Sequence, residues 1–152
     1  MSTKIFAQRD LSFGHLQGVL QLLPDAVAEL GGGASNPMAV AQGISSVASG
    51  TEYRFFAVLV VDDVIAGFMA GILETDVFLA RRNAREVFCY LRPSARQPEN
   101  RSALLEAFEV WGMSQKADRL ECVGDVASDD RYTAVATSRG YARASVVLRK
   151  ML

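Results

Sequence analysis

Residues 54–73 read RFFAVLVV-DD-VIAGFMAGIL, and this stretch decides the fold. Two apolar runs, Arg54 to Val61 and Val64 to Leu73, flank the dipeptide Asp62-Asp63. That pattern predicts an antiparallel hairpin closed by a tight turn. Nearly every position of both runs is apolar, so both faces of the hairpin are expected to be covered, by helices. Gly67 and Gly71, inside the second run, predict a bulge or a close approach of neighbouring backbone.

Downstream, Ala84 to Leu91 (AREVFCYL) reads as another strand, ending in Arg92-Pro93 and a polar stretch from Pro93 to Asn100. Ser102 to Lys116 is the clearest helix, with Leu104, Phe108 and Trp111 at i, i+4 and i+7. Arg119 to Val123 reads as a short strand. Asp129 or Asp130 can cap a last helix that stops near Gly140, and Tyr141 to Leu148 reads as a closing strand. Upstream, Lys4 to Gln8 alternates as a first strand. Asp10 or Ser12 can then cap a helix striped by Leu16, Val19, Leu20 and Leu23, which Pro24 is expected to close. A triple glycine, Gly31 to Gly33, interrupts the chain. Asn36-Pro37 marks the next helix start, Val40, Ile44 and Val47 recur at helical spacing, and Gly50 stands where a left-handed C-cap belongs. The resulting order is β-α-α-β-β-β-α-β-α-β, an α/β sandwich with a mixed sheet and helices on both faces. No internal repeat is present.

The 152 residues suit a single domain spanning 1–152, and a 50% hydrophobic, 22% charged composition reads as globular. A formal net charge of −1 gives no overall pull toward nucleic acid. The local cluster Arg81, Arg82 and Arg85 has no aromatic residues interleaved with it, as single-strand binding would need. Cys89 and Cys122 form neither a disulfide framework nor a metal-ligand spacing, and in apolar strand contexts they read as small core hydrophobes. His15, the single histidine, rules out a polyhistidine zinc site, so no metal is expected. With no run of eighteen apolar residues and no apolar signal core in MSTKIFAQRD, the expectation is a soluble, cytoplasmic protein without a membrane span.

This order and its punctuation resemble the GNAT superfamily of acyl-CoA-dependent N-acetyltransferases. Four segments carry the resemblance. VLVVDDVIAGFMAG looks like the family's second and third strands. Leu91-Arg92-Pro93-Ser94-Ala95-Arg96 looks like the end of its fourth strand, where a V-x-P-x-x-R pattern opens the cofactor loop. Ser102-Ala103-Leu104-Leu105 matches the start of the central helix, and Arg139-Gly140-Tyr141 matches the close of the last helix. The resemblance implies a three-layer sandwich with a mixed, mostly antiparallel sheet and a parallel splayed strand pair. It also implies acetyl-CoA as co-substrate and direct transfer to an amine of a small molecule or protein.

The family's loop pattern, Arg/Gln-x-x-Gly-x-Gly/Ala, uses glycines and amide N–H groups to hold a pyrophosphate at a helix N-terminus. Here Glu99 and Arg101 stand at the glycine positions, and the loop resembles the worn-down loops of bacteriophage-encoded members. Arg92, Arg96 and Arg101 are then expected to hold the phosphates by charge-assisted hydrogen bonds. The cofactor-binding set implied by the resemblance is Tyr90, Leu91, Arg92, Arg96, Gln97, Glu99, Asn100, Arg101 and Ser102, with backbone N–H near Tyr90 and Leu91 polarising the thioester.

Glu86, the only carboxylate on the fourth strand, is the implied general base. The family's acid tyrosine falls at Ala136, and Tyr132, one turn earlier, is the implied substitute. Each has a structural reading beside it: Glu86 as a solvent-facing partner of Arg85, Tyr132 as a ring packed on the sheet, the arginines as a solvated loop. A catalytically inactive protein of the same fold, serving as a phage-type regulator, virion component or interaction module, is the alternative function. A small-ligand sensor of unrelated α/β fold is a third. Apolar closing residues Ala144 to Leu148 could pair between subunits as a homodimer.

Overall fold

The computed structural model describes residues 2–29, 36–48, 53–123, 131–145, 148, 150 and 152. Its elements are β1 (Thr3–Ala7), α1 (Phe13–Glu29), α2 (Pro37–Ala48), β2 (Arg54–Val61), β3 (Val64–Asp76), β4 (Arg81–Leu91), α3 (Pro98–Ser114), β5 (Arg119–Glu121) and α4 (Arg131–Ser138). The five strands form one sheet in the order β1-β2-β3-β4-β5. The first three pairings are antiparallel and β4–β5 is parallel.

The β2–β3 hairpin turns on Asp62 and Asp63, whose φ angles of 48° and 62° are the left-handed pair of a two-residue hairpin turn. Along β2, Phe55, Ala57 and Leu59 face the layer formed by α3 and α4. Phe56, Val58 and Val60 face the α1/α2 layer, and all six are buried. Both faces are thus covered by helices, which is why the run carries no polar alternation. On one face Phe55 packs against Phe108 and Trp111, with ring centroids 5.6 and 5.4 Å apart. On the other, Phe56 stacks on Phe68 at 5.8 Å.

Gly67 and Gly71 meet both expectations made for them. A Cβ at Gly67 would stand 2.6 Å from the Tyr90 carbonyl oxygen and 2.5 Å from Leu91 Cδ2, so a side chain there would displace the end of β4. The β3–β4 register shifts between Ala70 and Gly71, where Ala70 faces Phe88 and Gly71 faces Glu86, leaving Val87 as the extra residue.

Ser12 proves to be the cap of α1: its hydroxyl accepts the His15 N–H at 3.3 Å, and His15 Nδ1 accepts the Ser12 N–H at 3.0 Å. The helix does not stop at Pro24 but runs through it to Glu29. Pro24 is exposed, and burial of Val19, Leu22, Leu23 and Ala26 holds the helix on both sides of it. Asn36 caps α2 as expected, accepting the Ala39 N–H at 3.1 Å. Gly31 to Gly33, Gly50, Asp129 and Asp130 lie outside the described residues. The closing strand expected at Tyr141 to Leu148 is absent over Tyr141–Ser145, where Ala142 to Ser145 are exposed and bury too little to hold a strand; residues 146 and 147 lie outside the described residues.

β1 is extended one rung by a side chain. The Gln8 amide donates to the Arg54 carbonyl at 3.0 Å and accepts the Phe56 N–H at 2.8 Å. Among the described residues, no helix is long and apolar enough to cross a membrane, and no group of three or more His, Cys, Asp or Glu could hold a metal.

Candidate active site

The parallel pair β4–β5 holds over three rungs, Asn83–Arg119, Ala84–Leu120 and Arg85–Glu121. Beyond Arg85, β4 runs on from Glu86 to Leu91 while β5 has ended at Glu121. Among the described residues the ladder between the two strands stops there, and this end of the pair is the parting. On the β3 side, the Arg92 N–H donates to the Ala66 carbonyl at 2.8 Å. Antiparallel alternation then turns the main-chain groups of Leu91 and Cys89 away from β3 and into the parting. The Leu91 carbonyl confirms the direction, because it accepts Arg96 Nε at 3.0 Å.

Beneath the parting lies a buried ion pair. Arg101, in the first turns of α3, donates from Nη2 to Glu86 Oε2 at 2.7 Å, and both side chains are 1% exposed. The same carboxylate oxygen accepts the Val123 N–H at 3.2 Å. The Arg101 guanidinium carbon lies 5.2 Å from the centre of the Tyr132 ring, a cation–π contact with α4. Burial opposes the charge on Arg101, but the Glu86 carboxylate bonded to it more than offsets this and holds it protonated. Burial pushes the Cys89 thiol up to about 12, the Cys122 thiol to about 11 and the Tyr132 phenol to about 12. All three are neutral, protonated groups near neutral pH.

This corrects two expectations. Glu86 is neither solvent-facing nor paired with Arg85, whose guanidinium instead holds Glu74 at 2.9 Å. As a base it would have to leave Arg101 first. The three-arginine loop is also divided. Arg101 is inside the protein, and Arg96 spends its guanidinium on the Leu91 carbonyl and on Glu29 at the end of α1. Of the three, only Arg92 has a side chain without a hydrogen-bond or ion-pair partner among the described residues.

The β4–α3 loop is built compactly. Pro93–Ala95 form a single 3-10 turn, and Pro98 opens α3. Asn100 is buried and donates to the Ala95 carbonyl and to Gln97 Oε1, both at 2.9 Å, and Gln97 Nε2 donates to the Ser94 carbonyl at 3.0 Å. The main-chain N–H groups of Asn100 and Arg101 point to the Gln97 carbonyl at 3.1 and 3.4 Å. Pro93 and Pro98 have no N–H. Among the described residues, the amides without a partner are those of Ser94, Arg96, Gln97 and Glu99, with Arg92 beside them. Ser102 faces the other way, accepting Arg139 Nη1 at 3.0 Å, while Arg139 also pairs with Glu109 at 2.6 Å and ties α4 to α3.

Sequence reading missed the Glu86–Arg101 pair and the Glu29 contact. A signal for Arg101 exists: the stripe Leu104, Phe108 and Trp111 extends back to 101 at i−3 and i−7, on the buried face. Glu86 shares strand parity with Ala84, also buried. Nothing local marks Glu29.

Several solved structures that share this architecture are acetyltransferases. Glucosamine-6-phosphate N-acetyltransferase from Arabidopsis thaliana superposes with a TM-score of 0.74 at 13% identity, covering 99% of each chain. An aminoglycoside N-acetyltransferase in complex with CoA gives 0.76 at 14%, over 99% of this chain and 95% of that one. An aminoglycoside acetyltransferase from an uncultured soil metagenomic sample, in complex with sisomicin, gives 0.73 at 12%, over 99% and 95%. At these identities the likeness defines the fold, which is that of GNAT acetyltransferases. No protein-family model matches the sequence, and no curated protein matches it.

Proposed function

We propose that the chain is an acetyl-CoA-dependent N-acetyltransferase acting on an amine of a small molecule. The observation that carries this is the parting of β4 from β5 after Arg85, with the main-chain groups of Cys89 and Leu91 turned into it. An extended amide-bearing arm such as pantetheine can pair with a strand edge that has no ladder partner among the described residues. The amides of Ser94, Arg96, Gln97 and Glu99, with the Arg92 side chain, would take the diphosphate. Acetyl-CoA supplies an activated thioester. The chain's own contribution is to position it, to offer the Leu91 N–H to the acyl oxygen, and to keep water from the buried side.

The acceptor would approach from the α1 side. Tyr90 faces that layer, and its phenol is raised by burial first and then by Asp25 and Glu29 nearby. Asp25 would attract an ammonium group before it loses its proton to solvent and attacks. The relatives in fold that bind CoA and sisomicin support the same reading.

Titration calorimetry with acetyl-CoA tests the proposal, with saturable binding expected. A panel of small amines assayed by mass spectrometry for a single acetyl addition tests transfer. No heat at millimolar acetyl-CoA would sink it.

The compact loop favours one second reading, a non-catalytic protein that keeps the fold, such as a regulator, virion component or interaction module. Two prolines and the Asn100 staple occupy the segment where glycines would admit a phosphate. Under that reading acetyl-CoA gives no thermal shift and Arg92→Ala changes nothing.

A further inference from the structure

Arg101 uses one of its nitrogens on Glu86, while Nε and Nη1 are buried with no oxygen or nitrogen partner among the described residues and only the weakly accepting Cys89 sulfur beside the guanidinium. Buried donors in native proteins are nearly always satisfied, so two on one buried cation ask for a function. The groups around them are Cys89 on β4, Cys122 just past β5 and the Tyr132 ring on α4. These elements bound the wedge where β4 and β5 part. None of the three is an anion, since burial keeps both thiols and the phenol protonated. Glu86 fixes the guanidinium in place and is itself fixed by the Val123 N–H.

We propose that Arg101 is the thiolate-binding group of the site: held by Glu86 under the parting of β4 and β5, its Nε and Nη1 donors take the negative charge that forms on the CoA sulfur. This rests on the acetyl transfer proposed above. As the amine nitrogen bonds to the acyl carbon, the carbon–sulfur bond breaks and its electron pair passes to sulfur. The amine's surplus proton leaves to solvent. A fixed guanidinium stabilises that sulfur as the thiolate, with no proton to deliver.

The test is a pH titration of CoA bound to the protein, read by the ultraviolet absorbance of the thiolate with the free protein subtracted. Cys89 and Cys122 hold their protons to about 12 and about 11, so the signal below that range belongs to CoA. The bound thiol is expected to be at least tenfold more acidic than free CoA, about one pH unit. In the double variant Glu86→Gln/Arg101→Gln, which keeps hydrogen-bonding side chains of similar size and whose fold is checked by thermal unfolding, CoA still binds and its thiol titrates as in free solution. A wild-type complex whose thiol titrates like free CoA overturns this inference and leaves the acetyltransferase reading standing. So does a depressed titration that persists in the double variant. Much tighter CoA binding by the double variant also overturns it, because the pair would then be blocking the wedge. Absence of CoA binding to the wild type at millimolar concentration overturns both readings together.

Discussion

The two faces of the sheet are packed on different principles. The α1/α2 face is held by Val19, Leu22, Ile44, Val58 and Phe68, with no charged side chain buried among them. The α3 face has an equally apolar centre around Phe55, Leu104 and Phe108, but at its β4 end it buries Glu86, Asn100 and Arg101. An ion pair out of water contributes less to stability than apolar side chains of the same volume. These polar groups are gathered where the β4–β5 ladder ends, which is the end of the α3 face that the proposed function uses.

The strongest way to break this contrast is to remove half of the pair. Arg101→Ala leaves the Glu86 carboxylate buried alone and should cost about 3–5 kcal/mol in urea unfolding. The Glu86→Gln/Arg101→Gln variant should recover most of that loss. If Arg101→Ala were as stable as the wild type, the pair would not be shut away from water. Next in size is Gly67→Ala. Its Cβ would meet the Tyr90 carbonyl at 2.6 Å, and overpacking of this kind costs about 1–3 kcal/mol. The same variant should weaken acetyl-CoA binding, since the displaced backbone is the wall of the parting. Unchanged affinity by calorimetry would separate Gly67 from the site.

A pH series sharpens the comparison further, because both cysteines belong to the α3 face. In the folded chain their thiols hold on to about 12 and about 11, whereas an unfolded cysteine titrates near about 8.5. Above that value the unfolded state binds fewer protons than the folded one, so stability falls as pH rises and is unaffected below it. Melting temperature should decline steadily from about pH 9 upward, and Cys89→Ala should flatten the decline. A pH-independent melting temperature over that range would contradict the buried, protonated thiols. The smallest effect is expected at Arg85→Ala. The Arg85–Glu74 pair is bidentate but has side chains 41% and 48% exposed, so the loss should be at most about 0.5 kcal/mol and should vanish in high salt.

The architecture was largely legible because its signals are local. The paired apolar runs about Asp62-Asp63, the Asn36 cap and the Leu104–Phe108–Trp111 stripe each follow from neighbouring residues. Pro24 misled for a physical reason: a proline costs one hydrogen bond, and four buried apolar residues of α1 outweigh that. The construction of the candidate site was not legible. Leu91, Arg92 and Arg96 do lie at the parting, yet which arginine turns inward depends on Glu86, a residue fifteen positions away on another element. Arg96 likewise depends on Glu29, sixty-seven positions distant.

The borrowed rung at Gln8 carries a consequence for self-association. A side-chain amide stands in for main chain, filling the donor and acceptor that β2 would otherwise show beside β1 at Arg54 and Phe56. The outer border of the sheet is therefore shut at that corner, and the chain can swing straight into α1 without leaving a ledge for a foreign strand. A Gln8→Ala protein would reopen that ledge and should be more prone to aggregate on storage.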